Sequence, residues 1–358
     1  MKPPSKTEAQ KRADQIRAFQ NELAQLEREK IVALTDAQRN AIHEHHETLI
    51  GQLAKTFDID RSHREKQLSL GMRIAYFLGA LAFAASVFFL FYQFWGRLST
   101  TAQVFILILA PLSTFVATIL ILWKDQSGYF AKLAGLVSFA CFVLNISMLG
   151  QVFNITASDK AFIVWAAFAL LLAYACEARL LLAAGILCFI AFLSARMGTW
   201  SGMYWLYFGE RPENFFPAAV FLFLVPLLIE HRRFSEFASI YRVFGLLTLL
   251  LPVLVLANWG SLSYLDADPD IIKEFYQVTG FVLSATAIWL GIRKGWNEVV
   301  NTGNAFFVIF LYTKFYDWWW DILPKYLFFL IVGLTAVLFL LIFKRLRSVG
   351  LLSIGGQA

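Results

Sequence analysis

Lys314, Asp317 and Asp321 follow one another at spacings of three and four in the stretch "KFYDWWWDI", which places an ammonium and two carboxylates on one face of a helix. Where an apolar segment meets water, a lysine one turn from a carboxylate can pair with it, and the set offers complementary charge to a lipid headgroup or polar solute. A blander chemistry competes: Lys314 extends its charge to the interface along an apolar stem. Trp318, Trp319 and Trp320 then form an interfacial aromatic belt, with their N–H groups among the headgroups. Asn301 and Asn304, three residues apart, make the other end of the same segment polar. A second polar set, Asn145, Ser147, Gln151 and Asn154, lies in an earlier apolar run. Such residues either bond neighbouring helices or line a polar cavity, here one shared with the Lys314 helix.

Other chemistries find little purchase. "HEHHE", His43 to Glu47, puts His43 on one face with His46 or Glu47, but no fourth ligand is evident and His63 is distant, so a solvated polar face is expected and no metal site. His231 precedes Arg232 and Arg233 and is expected in a basic loop near anionic lipid. Cys141, Cys176 and Cys188 fall in or beside apolar segments without a CxxC pair, which argues against a disulfide scaffold or thiolate metal site. HExxH, GxSxG, GxxxxGK[ST] and the dinucleotide glycine fingerprint are absent, so no catalytic residue and no cofactor are expected.

The elements that position these residues follow from composition. The 358 residues are 59% hydrophobic and 16% charged, against roughly 45–50% and about 25% in a soluble domain, which marks an all-α, polytopic membrane protein. The polar residues are concentrated before Gly71. About ten spanning helices of near-membrane length follow, over 72–95, 102–123, 130–150, 161–176, 178–195, 214–230, 241–258, 273–292, 298–316 and 323–344. Only "CEAR" separates the fourth and fifth, which makes them a tight hairpin. Basic residues alternate by loop, with Lys124, Arg179, Arg232, Arg242, Arg293 and Lys344 on one side and acidic residues such as Asp266, Asp268 and Asp317 on the other. The positive-inside rule then puts both termini in the cytoplasm. The same rule accounts for the net charge of +6, and without a basic block interleaved with aromatics no nucleic-acid partner is expected. No cleavable signal peptide is expected, because the first apolar run begins after about seventy polar residues.

Residues 1–70 read as a cytoplasmic amphipathic helical hairpin, 71–348 as the membrane domain and 349–358 as a short cytoplasmic tail. Ile16, Phe19, Leu23 and Leu26 share one helical face, "TDAQ" at Thr35 to Gln38 forms a capping box, and Ile42, Leu49, Ile50 and Leu53 line a second helix. Neither stripe is buried alone, so the helices pack on each other, on a protein partner or second copy, or on the membrane surface.

"LGQVFNI" at Leu149 to Ile155, the helix pair around "CEAR", the "LTDAQ" helix and the first span opening "LGALAFAASVFFLF" together resemble the bacterial predicted membrane proteins of domain of unknown function 2157, over roughly Leu26 to Ser194. "NTGNAFFVIFLYTKFYD" looks like a late helix of such proteins. "KIVA" at Lys30 to Ala33 departs from the glycine-led form expected before "LTDAQ". The resemblance implies a multi-pass inner-membrane protein and brings no activity. Two functions stand: a non-enzymatic envelope binding or scaffold protein using the hairpin, and a transporter or lipid-handling protein with an outward-facing polar site. Membrane lipids are the expected partners in both. For the second, Pro111, Pro217, Pro226 and Pro252 are candidate kinks.

Overall fold

The structure is a computed structural model and describes residues 6–57, 93–124, 129–229, 231 and 234–338, with isolated positions among residues 78–89. The first expected span, the tail at 349–358, His63, Arg232 and Arg233 lie wholly or almost wholly outside the described residues. Among those described there is no strand. Among the described residues eleven α-helices have described bounds: α1 (Lys6–Arg28), α2 (Asp36–Phe57), α3 (Thr100–Lys124), α4 (Tyr129–Val152), α5 (Lys160–Cys176), α6 (Arg179–Trp200), α7 (Phe216–Leu228), α8 (Ser235–Asn258), α9 (Pro269–Lys294), α10 (Asn297–Trp319) and α11 (Lys325–Leu338). The chain is an all-α polytopic membrane protein. It forms two compact units, Met1–Thr156 with Ala175–Ala178, and Ala157–Tyr174 with Arg179–Ala358.

In the first unit, α1 and α2 form the expected hairpin, with Ala13, Ile16 and Ile50 buried and Phe19 left half exposed. Arg39 of α2 bonds Glu27 of α1 at 3.1 Å. The capping box is reciprocal: the Gln38 N–H donates to Thr35 Oγ1 at 3.4 Å, and the Thr35 N–H donates to Gln38 Oε1 at 3.1 Å. The turn before it has the geometry of a glycine-led one without the glycine. Lys30 itself takes the left-handed conformation, φ 57°, while its N–H reaches the Glu27 carbonyl and that of Ile31 the Leu26 carbonyl.

Pro111 sits inside α3 and has no N–H, so the Leu107 carbonyl one turn earlier loses its helical donor. Asn145 of α4 replaces it, donating from Nδ2 to that carbonyl. A side chain that would be costly in hydrocarbon thus compensates a backbone group that would also be costly. At the end of α4, Asn154 takes φ 51°. Its N–H meets the Gln151 carbonyl, and that of Ile155 meets the Gly150 carbonyl, closing the helix in a Schellman motif.

The fourth and fifth expected spans are two separate helices, α5 and α6, broken at Glu177 with φ 52°. In the second unit α8, α9 and α10 build a core from Leu250, Val253, Leu256, Val299 and Phe310. Gly280 lets α9 approach α10 closely, since a Cβ there would overlap the Phe310 ring. Buried Gln277 also donates to the Phe310 carbonyl at 3.3 Å. Arg242 of α8 joins Glu298 in the first turn of α10, with Nε 2.8 Å from Oε1, and lies 4.4 Å over the Trp296 ring.

Five of the described helices are long and apolar enough to cross a membrane: Thr100–Lys124, Phe130–Val152, Arg179–Trp200, Glu236–Asn258 and Pro269–Lys294. Three more, Lys160–Cys176, Pro212–Leu228 and Lys325–Leu338, are apolar but shorter. α10 has the length, but Asn301, Asn304 and Lys314 dilute its apolar character.

Replacing Asn145 with Leu strands the Leu107 carbonyl, and unfolding of the detergent-solubilised protein should show a loss of about 1 kcal/mol. The same change in a Pro111→Ala background, where the helix supplies its own N–H, should cost much less; equal costs in both backgrounds would show that the bond carries nothing. Lys30→Gly relieves a left-handed residue and should stabilise the hairpin by about 1 kcal/mol, visible as slower amide exchange at residues 26–39.

Candidate functional site

The second unit contains a cavity of about 370 Å³. Leu187 and Ile190 of α6 form one wall, and Phe244, Leu247, Thr248, Leu251, Pro252 and Val255 of α8 form another. Gly209, Pro212 and Phe215, in the segment joining α6 to α7, close it. Thr248 is the single polar side chain among these lining residues. The space lies beside Pro252, inside α8, where the helix lacks one of its regular hydrogen bonds.

The closing segment is held by polar contacts to the turn between α8 and α9. Glu213 Oε1 accepts from Ser263 Oγ at 2.5 Å, from the Tyr264 N–H at 3.1 Å and from the Tyr276 hydroxyl at 3.4 Å. Tyr264 donates to Asn214 Oδ1 at 3.0 Å, and its hydroxyl lies 2.6 Å from Ser201 Oγ. Asn214, almost fully buried, donates in turn to the Phe208 carbonyl at 3.0 Å. Arg211 donates to the Ser261 and Ser263 carbonyls and lies 5.3 Å over the Tyr264 ring. These bonds between two loops fix Pro212 and Phe215 over the cavity, while the other Glu213 oxygen, Oε2, is buried without a partner among the described residues.

The residues singled out in the sequence lie elsewhere. Lys314 Nζ stands 5.1 Å over the Trp318 ring, and the described contacts give it no ion pair with Asp317. Asp317 and Asp321 are exposed. Trp319 stacks on Phe315 at 4.7 Å, and Trp320 meets Phe328 edge-on at 5.4 Å with Lys325 Nζ 3.7 Å from its ring. Asn145 bonds α3, Asn154 caps α4 and Gln151 is exposed, so these three are separated by role within their own unit. The helix carrying them belongs to the first unit and the Lys314 helix to the second. In α2, His46 meets Phe19 edge-on at 5.8 Å. Among the described residues no three His, Cys, Asp or Glu side chains converge on a metal position.

His231 departs from the expectation of a headgroup-facing loop residue, because it is buried. A carbonyl can only accept, so the 2.7 Å contact with the Ile229 oxygen places the ring proton on Nδ1. Nε2 then accepts from the Tyr174 hydroxyl at 2.9 Å, and the Tyr241 hydroxyl lies 3.3 Å further along. Partners 57 and 67 residues from Tyr174 gave no local signal in the sequence.

The segment from the capping box of α2 through α3, α4 and the α5–α6 hairpin carries the motifs on which the family resemblance rests. Residues 34–182 match the predicted membrane protein family DUF2157. That DUF2157 match includes Asn145 and the Asn154 cap and ends before Leu187, the first residue of the cavity, and it does not reach the late helix at Asn301. No curated protein and no solved structure matches the chain at significant similarity. The cavity had one sequence signal, Pro252, and the loops that close it had none beyond their polar residues.

Tyr264→Phe keeps the ring under Arg211 but removes the hydroxyl that joins Asn214 to Ser201. Amide exchange across residues 201–215 should quicken about tenfold, with helical content unchanged. Unaltered exchange would mean that the loop is held without this bond.

Proposed function

We propose that this is a bacterial inner-membrane protein, with both termini cytoplasmic, that binds a lipid-like apolar ligand in the cavity between α6 and α8. The cavity carries the reading: its volume lies within the ~300–1,000 Å³ of small-molecule sites, its walls are apolar, and its closing loop is pre-ordered by hydrogen bonds. An apolar chain of a membrane lipid is the class of ligand that such walls accept from the surrounding bilayer. In this reading Trp318, Trp319 and Trp320, with Lys314, Asp317 and Asp321 around them, anchor α10 at the membrane interface and are not the binding site. The basic loops supply the orientation.

Native mass spectrometry of the full chain released gently from detergent tests this directly. A retained lipid-sized mass is expected, and Val255→Trp, which projects an indole into the cavity, should remove it while Lys314→Ala leaves it. Retention by the Val255 variant and loss in the Lys314 variant would move the site to the end of α10.

The N-terminal hairpin supports a second reading, as a scaffold. α1 and α2 bury Ala13, Ile16 and Ile50 between them, yet Phe19 remains 50% exposed on the same helix, a large apolar group left for a protein contact. Deleting residues 6–57 should then abolish complex formation and spare the membrane domain; an unchanged complex by size-exclusion light scattering would exclude this role.

A further inference from the structure

We propose that the cavity selects an apolar ligand bearing a hydroxyl, of the long-chain alcohol type, which donates a hydrogen bond to the backbone carbonyl of Thr248. The inference rests on the cavity-binding reading above and specifies its ligand. Pro252 lies inside α8 and lacks an N–H, so the carbonyl four residues earlier, that of Thr248, loses its helical donor. The same defect occurs in α3 at Pro111, and there Asn145 makes it good. At Thr248 no side-chain donor takes this place among the described residues, although Thr248 is 93% buried by its 7% exposure.

Thr248 and Pro252 both line the cavity, so the carbonyl that Pro252 deprives of its i+4 donor belongs to the wall of a space bounded, apart from the Thr248 hydroxyl, by apolar side chains. A buried acceptor without a donor is costly, and the Thr248 hydroxyl beside it brings the polar partners only to two, fewer than the about three hydrogen bonds of a stable buried water. A ligand with one hydroxyl and an apolar body matches both features, because it provides one donor and places nothing else polar against the walls. A carboxylate or phosphate is disfavoured at this position, as both present only acceptors to a carbonyl. An alkane or ether would fill the space and leave the acceptor unpaired.

The test compares retention of dodecanol and of dodecyl methyl ether, which is similar in length but has no donor, by the full-length protein in detergent. Wild type should hold the alcohol about tenfold more tightly. Pro252→Ala restores an N–H to the Thr248 carbonyl and should erase the preference while still binding the ether. Thr248→Val removes the side-chain hydroxyl and leaves the backbone acceptor, so the preference should persist; its loss would make the hydroxyl the acceptor and overturn the assignment. Equal binding of the two probes by wild type, or an undiminished preference in Pro252→Ala, would overturn the inference while the cavity reading survives. Failure of wild type to bind either probe would overturn both readings together.

Discussion

In a hydrocarbon layer no water is available to a backbone carbonyl, so each one must find its donor within the protein. A proline inside a helix breaks that rule at a known place, four residues earlier. The structure meets the requirement at Leu107 with a side chain from the next helix and leaves Thr248 facing a cavity. The polar bond in the first unit and the polar spot in the hollow of the second both sit at such prolines.

Around the hollow, the packing is tight where small residues permit it. Gly280 admits the Phe310 ring between α9 and α10, and Gly245 brings α8 against the backbone of α7 at Phe223. The Arg242–Glu298 pair locks α8 to α10 at the start of the latter helix, where a carboxylate also meets the positive end of the helix dipole. α8 is thus held by α7, α9 and α10, and residues on its remaining side line the cavity opposite α6. The cavity has an α6 wall and an α8 wall, and the α6–α7 segment is fastened over it by Glu213, Asn214 and Tyr264.

Local features were legible from the sequence because their physics is local. The Thr35–Gln38 capping box lies within one turn, the break at Glu177 was visible as a short polar interruption, and the apolar runs reported helices at nine of the ten expected segments, the remaining one falling almost wholly outside the described residues. The Lys30 turn was less legible, since a non-glycine residue in a left-handed position goes against its own preference. The candidate polar residues divided by how far their partners lie. Asn154 is a cap formed with residues three to five positions away, a role that its place at the end of an apolar run was compatible with, whereas Asn145 needed a carbonyl 38 residues distant.

The sequence by itself determined that this chain is helical and membrane-embedded, where most helices begin and end, and where prolines interrupt them, because hydropathy, capping and the missing proline N–H act within a few residues. Only the tertiary structure decided which face of each helix meets another, since segments apolar on every side carry no periodic mark of their inner face. Whether a freed carbonyl is repaired or left open depends on the helix that packs beside it, and so the Leu107 bond, the burial of His231 and the cavity at Thr248 all waited on the fold.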